Sequence, residues 1–118
     1  MILSLQPVIR TAHVDATVNF YCDLLGFSVD ERNDDWGWAR LSKDSVKVMI
    51  AKSIADQDPH FTGSFYFEVD DVDSLWDAYK DKSSVCYEIE DFPWEMREFA
   101  IFDNNNYILQ FGQFTGCS

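Results

Sequence analysis

Apolar and polar residues alternate through the stretch GSFYFEV, residues 63 to 69. This alternation predicts a strand whose two faces meet different surroundings. One face carries three apolar residues, Phe65, Phe67 and Val69. The other face carries Ser64, Tyr66 and Glu68. If the apolar face packs in the core, the second face must meet water, a partner or a ligand. A tyrosine is large for a purely solvent-facing position, so this face is a candidate binding surface.

The first half of the chain carries one helical pattern among four strand-like ones. Residues 2–11 are apolar and β-branched, with Pro7 acceptable at a sheet edge. Residues 13–27 place apolar side chains at helical spacing, and Gly26 is positioned to end the helix. Three alternating runs follow, FSVDER, WGWARLS and SVKVMIA. The predicted order is β-α-β-β-β.

The same order recurs in the second half. Residues 61–69 form a predicted strand, and residues 70–82 form a helix capped by Asp70 or Asp71. The apolar stripe of this helix consists of Val72, Leu75, Trp76 and Tyr79. Three further strands follow, VCYEIED, MREFAIFD and YILQFGQ, with a turn at NNN before the last of them.

A repeat at half the chain length determines the predicted organisation. A shift of 58 residues lays residues 13–21 over residues 71–79, with few identities but the same element order. We predict one domain, residues 1–118, with module 1 at about 1–52, a linker at 53–60 and module 2 at about 61–113. The predicted class is α+β. Two paired βαβββ modules form a curved, incompletely closed mixed sheet with helices on the convex side.

Composition narrows the possible function classes. The chain has 118 residues, 16% of them aromatic, which excludes a disordered acidic chain. Its net charge is −12, and residues 59–118 carry three Lys or Arg against twelve Asp or Glu. Such a surface repels phosphate backbones, so we expect no nucleic-acid partner. The acidity either serves solubility or attracts a cationic ligand.

The remaining sequence signals are mainly negative. Three cysteines, Cys22, Cys86 and Cys117, form no CxxC pair and are expected to be reduced thiols. The two histidines, His13 and His60, lie far apart; His13 is expected to cap the first helix and His60 to be exposed. No apolar run is long enough to span a membrane, and the N-terminus lacks a basic start. We therefore expect a cytoplasmic protein without a membrane partner.

Three segments resemble the glyoxalase/bleomycin-resistance/extradiol-dioxygenase (vicinal oxygen chelate) family. They are NFYCDLLGFSVDE, FYFEVDDVDSLW and REFAIFDNNNYILQFGQ, and the resemblance extends over nearly all 118 residues. None of these segments is catalytic, so the resemblance identifies the architecture better than the chemistry.

The resemblance also implies four positions at which enzymes of the family hold a divalent metal. Here they are Gln6, Met49, Ser64 and Gln110. A divalent transition metal needs anionic oxygen or imidazole nitrogen to offset its dehydration, and neither is present at these positions. The resemblance is therefore to the metal-free, bleomycin-resistance-like members, and we expect no metal and no cofactor.

Strand parity, counted from Ser64, predicts which side chains line a cleft on the concave face. It turns Gln6, Val8 and Arg10 inward on the first strand, and Ile108 and Gln110 inward on the last. The predicted ligand-binding residues are Trp36, Trp38, Arg40, Met49, Ser64, Tyr66, Glu68 and Gln110. Such an aromatic cleft suits a flat or extended organic molecule.

Several aromatic and acidic residues allow two interpretations. Trp36 and Trp38 either line the cleft or fill a dimer interface. Trp94 is either a lid over the cleft or a buried loop anchor, whereas Trp76 is expected in the core. Glu68 and Glu98 are the two candidate acid–base carboxylates, and the face taken by Arg97 and Glu98 stays open. No catalytic residue is assigned.

The sequence favours a small-molecule binding protein of the bleomycin-resistance type. It would sequester a cationic, aromatic-bearing compound in a cleft at a homodimer interface. The alternative is a metal-dependent or cofactor-free glyoxalase-like lyase, isomerase or dioxygenase. A stress-related protein with an unrelated ligand is a third possibility.

Overall fold

The computed structural model describes Met1, residues 3–53 and residues 64–116. The chain divides into two compact units, Met1–His60 and Phe61–Ser118. Most of the predicted linker, the exposed position expected for His60 and the free thiol expected at Cys117 lie outside the described residues.

The first unit has the element order βαβββ. Its elements are β1 (Val8–Thr11), α1 (Val14–Asn19), a π-helical segment (Phe20–Leu24), β2 (Ser28–Asn33), β3 (Trp38–Lys43) and β4 (Val46–Lys52). The four strands form one sheet in the order β1-β4-β3-β2. β1 and β4 are parallel and the other pairs are antiparallel, so the sheet is mixed. Its buried apolar side chains include Ile9, Leu41, Val48 and Ile50.

Gly26 ends the first helical stretch, as its position predicts. Its φ is +82°, a left-handed conformation that costs glycine little. The Gly26 amide donates to the Cys22 carbonyl at 3.2 Å, and the Phe27 amide donates to the Tyr21 carbonyl at 2.9 Å. These two bonds satisfy carbonyls that the end of a helix otherwise leaves unpaired. The chain is thereby turned into β2.

The second unit repeats the order of the first. Its elements are β5 (Ser64–Glu68), α2 (Val72–Tyr79), β6 (Ser84–Phe92), β7 (Met96–Phe102) and β8 (Ile108–Phe114). The strand order is β5-β8-β7-β6, with β5 and β8 parallel and the other pairs antiparallel. The predicted α+β class with two βαβββ modules is confirmed. No helix in the described part of the chain is long and apolar enough to cross a membrane.

Helix α2 begins and packs as its sequence predicts. Asp71 is the N-cap, because its carboxylate accepts the Ser74 amide at 3.3 Å and the Ser74 hydroxyl at 2.7 Å. Trp76 packs on Phe99 with ring centroids 5.2 Å apart, but it is half-buried and not fully in the core as expected. Phe111 stacks on Phe99 at 5.2 Å, so the helix covers an aromatic core.

Three sequence-based expectations need correction in the first unit. The first strand starts at Val8, so residues 3–7 lie outside it. Trp36 lies in a turn before β3 and not on the strand, because Gly37 at φ +62° turns the chain there. His13 occupies the N-cap position but its side chain makes no capping bond. Instead its carbonyl accepts the Thr17 hydroxyl at 2.8 Å.

Candidate functional site

The polar face of β5 continues across its neighbouring strands. In the sheet register Tyr66 pairs with Gln110 on β8, and Gln110 pairs with Ala100 on β7. Two residues further along β8, Gly112 pairs with Glu68 on β5 and with Glu98 on β7. Because directly paired residues point to the same side of a sheet, Glu98 shares the face of Tyr66 and Glu68. This settles the side of the sheet that parity counting left open for Glu98.

Glu98 is a buried carboxyl group at the centre of this face. Only 2% of the residue is exposed. Its Oε1 accepts hydrogen bonds from the Trp94 indole Nε1 at 2.7 Å and from the Tyr66 hydroxyl at 3.2 Å. Its Oε2 accepts a hydrogen bond from the Tyr87 hydroxyl. An indole N–H can only donate, and three donors on one carboxyl suit the ionised form, which offers only acceptors.

Two further side chains extend the hydrogen-bonded chain to the edge of the sheet. The Gln110 amide nitrogen donates to the Tyr87 hydroxyl oxygen at 2.9 Å, and the Ser64 hydroxyl donates to the Gln110 carbonyl oxygen at 2.5 Å. We call the whole set the Glu98 network: Ser64, Tyr66, Tyr87, Trp94, Glu98 and Gln110. Its donors and acceptors orient one another, so the network fixes the orientation of its aromatic side chains.

Gly112 is the reason that Tyr66 can reach Glu98. A methyl group placed at Gly112 would lie 1.9 Å from the Tyr66 hydroxyl oxygen and 2.7 Å from Cζ of the same ring. The tyrosine ring therefore lies across β8 at a point where only a missing side chain leaves room. Tyr66 remains 45% exposed, so the network holds its hydroxyl while the ring stays accessible.

Trp94 is anchored through its indole N–H but is not buried, so the interpretation as a buried loop anchor is wrong and its role as a lid over the cleft stays a prediction. It lies in the turn between β6 and β7, where Glu95 has a φ of +63°. Its indole N–H is anchored on Glu98, and its ring stacks on Phe92 with centroids 4.7 Å apart and planes 15° apart. Even so, Trp94 is 58% exposed. The turn thus presents an oriented aromatic surface.

The network alters the acidity of its tyrosines. Burial, and after it the negative charge of Glu98, raises the pKa of Tyr66 to about 12. Burial, followed by the hydrogen bond to Glu98, also raises the pKa of Tyr87. Both tyrosines are therefore neutral hydrogen-bond donors at neutral pH.

The raised pKa of Tyr66 gives a testable alkaline transition. We expect Tyr66 to ionise near pH 12, compared with about 10 for an ordinary tyrosine. Below pH 10 both folded and unfolded chains hold the proton and the stabilisation is complete. Between pH 10 and 12 only the unfolded chain ionises, so stability falls as pH rises. The difference in absorbance at 295 nm between wild type and Tyr66→Phe isolates this group, and ionisation near pH 10 would contradict the prediction.

In the first unit, the predicted residues that come together are Trp38, Arg40 and Met49. Trp38 Nε1 donates to the Met49 sulfur at 3.4 Å, and the Arg40 guanidinium lies 5.2 Å from the Trp38 ring centroid. Arg40 also pairs with Glu31 at 3.3 Å. Trp36 is 75% exposed and lies apart from strand β3. We call Trp38, Arg40 and Met49 the Trp38 face.

The structure brings some of the predicted ligand-binding residues together and leaves others apart. Ser64, Tyr66 and Gln110 join one network, whereas Glu68 lies exposed on the same face. Tyr87 was missed. Register shifts in the β6–β7 pairing at Val85/Tyr87 and Tyr87/Glu90 prevent parity counting along that strand. Trp94, in contrast, was recognisable from the sequence, because it lies in the turn that precedes β7.

The donor set at the four implied metal positions does not fit a divalent ion. Gln110 Oε1 already accepts from Ser64, and Met49 is a thioether that accepts from Trp38. The Gln6 amide donates weakly to the Ser4 hydroxyl at 3.4 Å. None of these donors is an anionic oxygen or an imidazole nitrogen, one of which Zn²⁺ or Fe²⁺ needs to offset its dehydration. Across residues 3–53 and 64–116, no group of three or more His, Cys, Asp or Glu side chains could hold a metal ion.

Comparisons with known proteins agree on one family. The family model described as "Glyoxalase/Bleomycin resistance protein/Dioxygenase superfamily" matches residues 4–111. The bleomycin resistance protein of Geobacillus stearothermophilus is 26% identical over an alignment 127 positions long, which covers 91% of this chain and 93% of that protein.

Solved structures show the same fold. The bleomycin-binding protein of bleomycin-producing Streptomyces verticillus, complexed with copper(II)-bleomycin, superposes with a TM-score of 0.70 at 25% identity. It is matched over 99% of this chain and 100% of that one. A protein of unknown function from Agrobacterium tumefaciens reaches a TM-score of 0.80 at 18% identity, over 96% of this chain and 94% of that one.

Proposed function

Because this chain belongs to the Glyoxalase/Bleomycin resistance protein/Dioxygenase superfamily, we propose that it is a small-molecule binding protein of the bleomycin-resistance type. It sequesters a cationic compound that bears an aromatic group. The observation that carries the proposal is the Glu98 network, which holds Tyr66 and Trp94 in fixed positions with their rings exposed. Exposed aromatic rings held by hydrogen bonds suit a ligand that stacks.

The charge of the chain supports a cationic ligand. The overall net charge is −12, and the second half carries three Lys or Arg against twelve Asp or Glu. A surface of this sign attracts cations over a distance set by the ionic strength. Exposed aromatic faces add cation–π attraction once the ligand arrives. Both effects favour planar or aromatic cations over anions.

Two relatives support the choice of compound class. A bleomycin resistance protein aligns over nearly the whole chain, and the bleomycin-binding protein of Streptomyces verticillus shares the fold at 25% identity. A glycopeptide of the bleomycin class is therefore the first compound to test. The neutral donors at Gln6, Met49, Ser64 and Gln110 support binding without a resident metal.

The binding proposal is tested by titrating bleomycin, metal-free and loaded with copper(II), into the wild type and two tryptophan variants. We expect saturable binding. Trp94→Ala should weaken it by about 2- to 30-fold, because one stacked or cation–π contact contributes about 0.5–2 kcal/mol. Calorimetry measures the affinities without relying on tryptophan emission.

The matched control is Trp36→Ala, which removes an equally large exposed ring from a turn outside β3. We expect it to change the affinity less than about 2-fold. A loss of binding in Trp36→Ala with none in Trp94→Ala would move the site to that turn. Binding that does not weaken as salt rises would refute the role given to charge, and the absence of saturable binding to any cation in a wider panel would refute the proposal.

We also propose that the protein is a homodimer. The family resemblance implies that paired βαβββ modules complete their clefts across a two-fold axis, and most soluble oligomers are symmetric, with dimers the commonest. One chain has a mass of 13.7 kDa. Sedimentation at micromolar concentration is expected to show a species of about twice that mass. A single species with the mass of one chain would contradict the proposal.

A further inference from the structure

Two exposed aromatic rings donate hydrogen bonds to the same carboxyl oxygen. The Trp94 indole N–H lies 2.7 Å from Glu98 Oε1, and the Tyr66 hydroxyl lies 3.2 Å from it. Glu98 itself is buried, whereas 58% of Trp94 and 45% of Tyr66 are exposed. A ligand on this face would therefore meet the rings and not the carboxylate.

An anionic acceptor changes the ring that donates to it. A hydrogen bond from an indole N–H or a phenol to a carboxylate draws the proton toward the acceptor and leaves more electron density in the π system. Cations are attracted to a ring by that electron density, so their stacking strengthens, while the stacking of an uncharged aromatic changes little. Burial limits the screening of Glu98 by water, unlike that of an exposed acid such as Glu68.

We propose that Glu98 is the specificity-determining residue of this face: without touching the ligand, it makes Tyr66 and Trp94 prefer planar cations over uncharged aromatics. This inference rests on the proposed function, since it concerns selectivity on the same face. Glu98 acts through the two rings and is a positioning and polarising residue. Gln110 contributes indirectly, because its donation to Tyr87 orients a third donor on Glu98.

The test compares two probes with the same number of heavy atoms. N-methylquinolinium is a permanent planar cation, and 4-methylquinoline is uncharged at pH 8. Both are titrated into the wild-type chain and Glu98→Gln, following the Trp94 indole N–H signal by proton–nitrogen NMR. The signal is assigned from its absence in Trp94→Phe. We expect Glu98→Gln to lower the ratio of cation affinity to neutral affinity by about 3- to 10-fold.

Glu68→Gln is the matched control, because it removes one negative charge from the same face at an exposed position. We expect its affinity ratio to stay within about 2-fold of wild type. The chemical shift of the Trp94 indole N–H should change in Glu98→Gln and stay the same in Glu68→Gln. This shift reports directly on the hydrogen bond from Trp94 to Glu98. An equal fall of the ratio in both variants would assign the selectivity to general charge and overturn the inference.

The remaining outcomes separate the two proposals. If the wild type binds the probes and Glu98→Gln weakens both equally, Glu98 is merely structural and only this inference fails. If the wild type binds neither probe, the proposed binding face fails and the inference falls with it. Should Glu98→Gln not fold, Tyr66→Phe removes one donor and keeps the ring, and Trp94→Phe removes the other donor and leaves a smaller aromatic ring. An unchanged ratio in both would overturn the inference.

Discussion

Replacing Glu98 with alanine is expected to destabilise the protein by about 2–4 kcal/mol. The change removes the common acceptor of the Tyr66 hydroxyl, the Tyr87 hydroxyl and the Trp94 indole. Three donors then lose their partner at a site where Glu98 was 2% exposed. A buried donor without a partner costs more than its hydrogen bond contributed, because water does not replace the acceptor. Urea unfolding, followed by circular dichroism, measures the loss.

Glu68→Ala is the matched control for this result, since it removes the same side chain from an exposed position on the same face. We expect it to change the free energy of unfolding by less than about 0.5 kcal/mol. Glu98→Gln should fall between the two, because an amide oxygen still accepts but carries no charge. A cost for Glu98→Ala no larger than that of Glu68→Ala would show that the network does not stabilise the fold.

The regular elements could be predicted because their burial follows a simple period. In β5 and β8 every second side chain faces the core, so Leu109 and Phe111 alternate with the more exposed Ile108 and Gln110. In α2 the cap and the apolar stripe are both visible in the sequence, and Asp71 caps the helix as expected. These parts depend on local rules that a single sequence reveals.

Trp36 shows where the same period misleads. The run WGWARLS was interpreted as one alternating strand, yet the strand begins at Trp38. Gly37 has a φ of +62°, and its amide donates to the Asp34 carbonyl at 3.2 Å to close a turn. Side chains do not alternate between two faces in a turn. Counting every second residue back from β3 across Gly37 therefore placed Trp36 wrongly on a strand face. A glycine inside an alternating run was the available warning.

The Glu98 network could not be predicted because its members depend on register and not on spacing. Glu98 lies beside Gly112 only through the pairing of β7 with β8. A lone glutamate in a strand is usually solvent-exposed, and only its partners across the sheet make burial acceptable. Tyr87 joins from a strand with two register shifts, which sequence alternation cannot locate.

Gly112→Ala is the second change with a large expected effect, because the added methyl group would overlap the Tyr66 ring. Its carbon would lie 1.9 Å from the hydroxyl oxygen and 2.7 Å from Cζ, so the ring must leave Glu98. We expect a loss of about 1–3 kcal/mol in the free energy of unfolding, as for other overpacked sites. The Tyr66 absorbance transition should also move from about pH 12 toward its ordinary value of about 10, because the ring leaves the carboxylate.

A double-mutant cycle with Tyr66→Ala tests the cause of that loss. In the Tyr66→Ala background the overlapping atoms are absent, and Met96 Cε at 3.1 Å is the next neighbour, at the flexible end of its side chain. Gly112→Ala should then be nearly neutral, since alanine also loses less chain entropy than glycine on folding. The cycle should give a coupling energy of about 1–3 kcal/mol between the two positions. An equal cost of Gly112→Ala in both backgrounds would place the conflict in the backbone of β8, and Tyr66 would then owe its position to something other than the space above Gly112.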